Sequence, residues 1–176
     1  MILGMSTSTF TLVHVVLSLI GILSGLLVVI GTLGAKRRTG WTALFLATTV
    51  LTSVTGFFFP RDQLLPSHIV GVISLVALAV ALVARYVNRL AGASRWIYVL
   101  AAVLALYLNV FVGIVQAFQK VPFLRPLAPT QSEPPFLVTQ LVVLAIFIAL
   151  GIAAVIRFRP EPVQRVIAAD VRRAGS

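Results

Sequence analysis

Five apolar runs, each about the length of a bilayer crossing, leave this chain few ways to fold. They cover residues 10–33, 41–59, 64–84, 96–118 and 136–156. At a rise of about 1.5 Å per residue, such runs reach across a hydrocarbon core about 30 Å thick. Hydrocarbon offers nothing to bond exposed backbone groups, so a spanning segment satisfies its own amides as a helix or joins a closed barrel. The strict alternation of barrel strands is missing here, which leaves helices. Composition agrees: 60% of the 176 residues are hydrophobic and 10% are charged, whereas a soluble domain carries about 25% charged residues. Too few polar groups remain to coat a water-facing surface.

The links between runs are short, and short links make successive helices antiparallel neighbours. The expected fold is therefore an all-α integral membrane protein, an up-and-down bundle of five transmembrane helices formed by residues 1–159. A basic tail, 160–176, follows Pro160 and Pro162, which stop the last helix. In the tail Val163, Val166, Ile167 and Val171 recur at helical spacing among arginines. It reads either as a short interfacial helix lying on the inner leaflet or as a frayed basic tail.

The net charge of +10 is arranged by topology. Lys36, Arg37, Arg38, Arg85, Arg89, Arg95, Arg157, Arg159, Arg165, Arg172 and Arg173 fall at one set of span ends, while Arg61, Lys120 and Arg125 fall at the other. Eleven basic residues against three, alternating with every crossing, place the N-terminus outside and the C-terminus in the cytoplasm. The charge is thus an orientation signal and a contact for membrane lipid rather than a nucleic-acid surface. The opening "MILGMSTSTF" has no basic n-region and no small-residue cleavage site after its apolar run, so the first run reads as a retained anchor.

Little in the chain suggests an enzyme. It has no cysteine, which excludes disulfides, thiolate metal sites and iron–sulfur clusters. Its four carboxylates, Asp62, Glu133, Glu161 and Asp170, all lie outside the runs, unlike the buried acid of an intramembrane protease or proton-coupled pump. There is no G-x-S-x-G, P-loop or dinucleotide fingerprint. No run carries an arginine ladder, and no proline interrupts one beyond its first turn, which argues against voltage sensors and broken-helix carriers.

Small residues mark packing faces. Gly21 and Gly25 form a G-x-x-x-G in the first run, and Gly71, Ser74, Ala77, Ala81 and Ala84 continue the theme in the third. Such spacing lets backbones approach closely, within the chain or between copies. Thr48, Thr52 and Thr55 stripe the second run, where hydroxyls can bond back to their own helix.

Polar residues gather at the outer end. His14 and His68 are the only histidines, and the topology puts both on that side. Asn109, Gly113, Gln116 and Lys120 share one helical face of the fourth run. Gln140 lies about a turn into the fifth, and Glu133 precedes it. If these faces converge, the outer half holds a polar pocket, with the proline-rich link 119–135 as a stiff lid. The stretch "FFFPRDQLLPSH", 57–68, reads as a turn whose phenylalanines end the second span among head groups.

The run "RWIYVLAAVLALYLNVFVGIVQAFQKVPFLRPLAPTQSEPPF" resembles a group of small uncharacterised bacterial inner-membrane proteins with about five spans. The resemblance implies a multi-pass protein of the bacterial inner (plasma) membrane and carries over no activity.

Several functions fit these residues. The first is a non-enzymatic accessory or interaction subunit, forming a homo-oligomer or joining a larger membrane complex through the small-residue faces. The second is a protein that binds a small molecule, a lipid or a quinone-like group in the outer pocket. The third uses His14 and His68 as axial ligands of a b-type haem. A two-histidine zinc site would need Glu133 or Asp62 as third ligand. A pore between chains would have to be lined by the Asn109–Gln116 stripe without a charged ring.

Overall fold

The computed structural model describes residues 1–34, 39–59 and 66–158. These residues form five helices: α1, Thr7–Leu33; α2, Thr39–Gly56; α3, Pro66–Leu82; α4, Ser94–Lys120; and α5, Pro134–Arg157. A π-helical turn, Val83–Val87, extends α3, and a 3-10 turn, Arg125–Leu127, interrupts the link from α4 to α5. Outside helices, Ile2 pairs with Met5 in a tight bridge. The tail from 160 onward and the pair Arg61 and Asp62 lie outside the described residues.

Four helical stretches are long and apolar enough to cross a membrane: Thr7–Leu33, His68–Val87, Ser94–Lys120 and Pro134–Arg157. The other expected crossing, α2, falls short of that measure. Its 18 residues rise only about 27 Å, and six threonines dilute its apolar content.

Local chemistry explains where the helices stop. The Thr9 amide donates to the Ser6 hydroxyl at 3.1 Å, capping the start of α1. At the far end the Gly34 amide bonds the Ile30 carbonyl at 3.0 Å, and Arg157 donates to the Leu33 carbonyl at 3.4 Å, tying α5 to α1. Pro134 and Pro135 open α5, where a missing amide hydrogen costs nothing. The helix α2 ends earlier than expected, at Gly56. Phe57 and Phe58 then close a turn by donating to the Val54 and Thr55 carbonyls, each at 3.1 Å. Glycine is a poor helix former, and a proline at position 60 restricts the residue before it.

The central element is α4, which packs against all four other helices. Its buried stripe of Tyr98, Ala102, Ala105, Leu106 and Asn109 runs through the core. The small residues pack inside the chain. A methyl group built on Gly25 would lie 2.6 Å from Leu106 and 2.8 Å from the Phe45 ring; one on Gly21 would lie 3.0 Å from Asn109 and 3.1 Å from Thr49. Gly71 makes room for the Phe57 ring, 3.0 Å from the same test position. Ala77 and Ala81 are buried in the core. The outward faces of α1, α3 and α5 instead carry large apolar side chains such as Leu12, Leu23, Ile69, Val76, Leu141 and Ile152. That distribution suits a surface bathed in acyl chains.

The proline-rich link is no lid. Ala128 within it packs with Phe118 and Phe136 in a small cluster of its own, and Gln131 donates to the Val115 carbonyl at 3.4 Å. The link therefore ties the C-terminal end of α4 to the N-terminal end of α5.

Candidate functional site

Between the N-terminal halves of α1 and α3 and the C-terminal halves of α2 and α4 lies a cavity of about 390 Å³. His14, His68, Asn109, Gly113, Gln116 and Lys120 all line it. The helical spacing of the α4 residues turns them toward α1, and the antiparallel order of the helices brings the two histidines to the same end.

Hydrogen bonds staple the cavity walls. The Ser18 hydroxyl donates to Asn109 Oδ1 at 2.8 Å, joining α1 to α4. Ser53 and Ser74 pair at 3.1 Å, joining α2 to α3. His14 Nδ1 lies 2.8 Å from Thr55 Oγ1, joining α1 to α2. Polar pairs of this kind hold membrane helices together where the hydrophobic effect between them is absent.

The His14–Thr55 contact also fixes a tautomer. Thr55 Oγ1 lies 2.7 Å from the Leu51 carbonyl, which can only accept. The hydroxyl has one hydrogen. Both short contacts are hydrogen bonds only if that hydrogen goes to Leu51 and the hydroxyl oxygen accepts from His14 Nδ1–H. In the neutral ring Nε2 then carries the lone pair.

The threonine stripe of α2 behaves unevenly. Thr48 and Thr55 bond back to their own helix, to the Leu44 and Leu51 carbonyls, each at 2.7 Å. Thr52, which lines the cavity, does not: its buried hydroxyl has no partner. A buried donor of this kind is costly to leave unmade.

Aromatic rings form the rim. Two of the three phenylalanines turn toward the histidines. Phe59 meets Phe10 and His14 edge-on, with centroids 5.1 and 5.2 Å apart. Phe57 lies 5.6 Å from the His68 ring. Both line the cavity, while Phe58 is exposed. The stretch after α2 is thus both a turn and the edge of the site.

Two residues expected in the pocket lie elsewhere. Gln140 is buried between α5 and α4, donating to the Phe111 carbonyl at 3.3 Å, and its Oε1 has no partner. Glu133 belongs to the link before α5, where it accepts from the Thr130 amide at 3.0 Å and the Ser132 amide at 3.1 Å. Desolvation works to raise its pKa, but donation from Thr130 and Ser132 outweighs this and holds the carboxyl below its ordinary value. Glu133 does not line the cavity with the histidines, and among the described residues no group of three or more His, Asp or Glu could hold a metal ion. A haem held by His14 and His68 would have to draw on His14 Nε2, the nitrogen that Thr55 leaves with its lone pair.

The arrangement defines a helical bundle able to lie in a membrane, with a partly polar, aromatic-rimmed cavity at one end. No family model, no curated protein and no solved structure matches the chain, so the site is argued from its own residues.

Proposed function

We propose that this is a multi-pass protein of the bacterial inner membrane that binds a small amphiphilic molecule in its outer half. All five helices cross the bilayer, with the N-terminus outside. Orientation rests on the eleven-to-three division of basic residues, and the compartment rests on the resemblance of the α4–α5 region to small inner-membrane proteins. The fifth crossing is α2, whose short rise is completed by the turn at Phe57–Phe59 and whose Thr42, Thr48 and Thr49 are buried within the bundle.

The single observation that carries the binding reading is the cavity of about 390 Å³, at the lower end of the range for small-molecule sites. It joins apolar walls to a few polar groups, His14, Asn109 and Gln116 among them. An accessory subunit docking through Gly21 and Gly25 is less well supported, because both glycines pack against α2 and α4. A pore between chains meets the same difficulty: the Asn109–Gln116 stripe faces α1 and this cavity.

Filling the cavity tests the reading. At Gly113 a methyl group would lie 3.6 Å from Ile22, so Gly113→Ala fits, while Gly113→Phe would occupy the space. Native mass spectrometry of protein purified in mild detergent is expected to show a small-molecule adduct on wild type and Gly113→Ala and none on folded Gly113→Phe. An adduct retained by Gly113→Phe, or absent from all three, would overturn the proposal.

A further inference from the structure

If the cavity binds an amphiphile, as proposed for its outer half, its hydrogen-bonding groups also specify the ligand's head. His14 presents an acceptor, because Thr55 takes the Nδ1 hydrogen and leaves the lone pair on Nε2. That acceptor calls for a donor on the ligand, such as a hydroxyl. The rings of Phe57 and Phe59 border the same space, where aromatic edges and faces favour another ring.

Charge argues in the same direction. Among the described residues no Asp or Glu lines the cavity, and its one lysine, Lys120, is exposed at the outer end of α4. A hydroxyl seated against His14 Nε2 therefore meets no competing carboxylate among the described lining residues.

We propose that the cavity takes a hydroxylated aromatic head with an apolar tail, a quinol-type molecule, whose ring hydroxyl donates to His14 Nε2. The tail leaves along the apolar wall formed by Val15, Leu19 and Ile22. Binding alone is assigned; no electron transfer is required of the protein.

The experiment compares four probes on the full chain in nanodiscs: decyl-hydroquinone kept reduced, decyl-benzoquinone, decylbenzene and decanoate. Benzoquinone lacks the hydrogen that His14 accepts, decylbenzene lacks both polar groups, and decanoate tests an anionic head. The hydroquinone is expected to bind about 3- to 10-fold more tightly than the benzoquinone, the range for one neutral hydrogen bond. It should also move the Nε2 nitrogen resonance of His14. His14→Phe and Thr55→Val, both close in volume to the native side chains, are expected to remove the preference. Equal affinity for the two, or a preference that survives in folded His14→Phe, would overturn the inference. Decanoate or decylbenzene binding that Gly113→Phe abolishes, without a quinol preference, would overturn the ring assignment while leaving the cavity a ligand site. Binding of no probe, with no co-purifying adduct, would overturn both.

Discussion

Replacing Gly25 with alanine is the sharpest mechanical test of how the bundle closes beneath its cavity. The added methyl would sit 2.6 Å from a Leu106 methyl carbon and 2.8 and 2.9 Å from two Phe45 ring carbons. Neither neighbour has room to retreat, since Leu106 is 0% and Phe45 1% exposed. Helix α1 must therefore move away from α2 and α4. Overpacking of this kind costs about 1–3 kcal/mol, and the better helix propensity of alanine returns up to about 1 kcal/mol, so a net loss of about 1–2 kcal/mol is expected. At Gly21 the nearest atoms are the Asn109 amide at 3.0 Å and two threonine hydroxyls at 3.1 and 3.3 Å. These need give only a few tenths of an ångström, and Gly21→Ala should lose about 0–1 kcal/mol. At Gly34 the nearest atoms are carbonyl oxygens of its own helix at 3.6 and 3.7 Å, so Gly34→Ala should stay within about 0.5 kcal/mol of wild type. Titration of dodecylmaltoside micelles with SDS, followed by far-UV circular dichroism, ranks the three. An unchanged midpoint for Gly25→Ala, or a larger loss at Gly34 than at Gly25, would refute the reasoning.

Two further outcomes are expected from the polar contacts. Asn109→Leu removes the acceptor for Ser18 and should destabilise the bundle by about 0.6 kcal/mol, the average for such a bond between membrane helices; the same SDS titration measures it, and a loss above about 2 kcal/mol would show that more than this bond is at stake. Glu133 has a depressed pKa, so its contribution is fully present above the ordinary value of 4.5 and is lost as pH falls through the lower folded value. The Thr130 and Ser132 amide resonances should hold steady at neutral pH and shift only below the ordinary carboxylate range, whereas a transition near neutrality would contradict the assigned bonds.

How much could be read from the residues alone depended on where polarity was periodic. Hydropathy located the helices because each run is bounded by charge, proline or glycine, and α1 and α4 begin and end within three residues of the expected limits. The cavity face of α4 was legible because Asn109, Gly113, Gln116 and Lys120 repeat at the helical period. Gln140 was not placed correctly because α5 is apolar on every side, and one polar residue does not say which way a helix is rotated. The chain path of the proline-rich link has no period to read, which hid both its packing on Phe118 and Phe136 and the role of Glu133. Thr52, Ser53, Thr55 and Ser74 were missed as site residues because hydroxyls in membrane helices usually bond back to their own backbone. Only the geometry shows that Thr55 also holds His14 and that Thr52 bonds nothing. The inward fold of Phe57 and Phe59 depends on the helix ending at Gly56, a boundary three residues before the end of the apolar run.

The absence of native cysteine makes a direct test of the cavity and its proposed orientation simple. Single substitutions Gln116→Cys and Ser74→Cys place a thiol in the cavity wall, and Leu141→Cys places one on the outward face of α5. Right-side-out and inside-out vesicles are then treated with a small membrane-impermeant methanethiosulfonate, with and without decyl-hydroquinone. Both cavity thiols should react in right-side-out vesicles only and be protected by the quinol, while Leu141→Cys stays unreactive. Labelling of the cavity positions from the cytoplasmic face, or no reaction from either side, would contradict an outward-opening cavity and the function built on it.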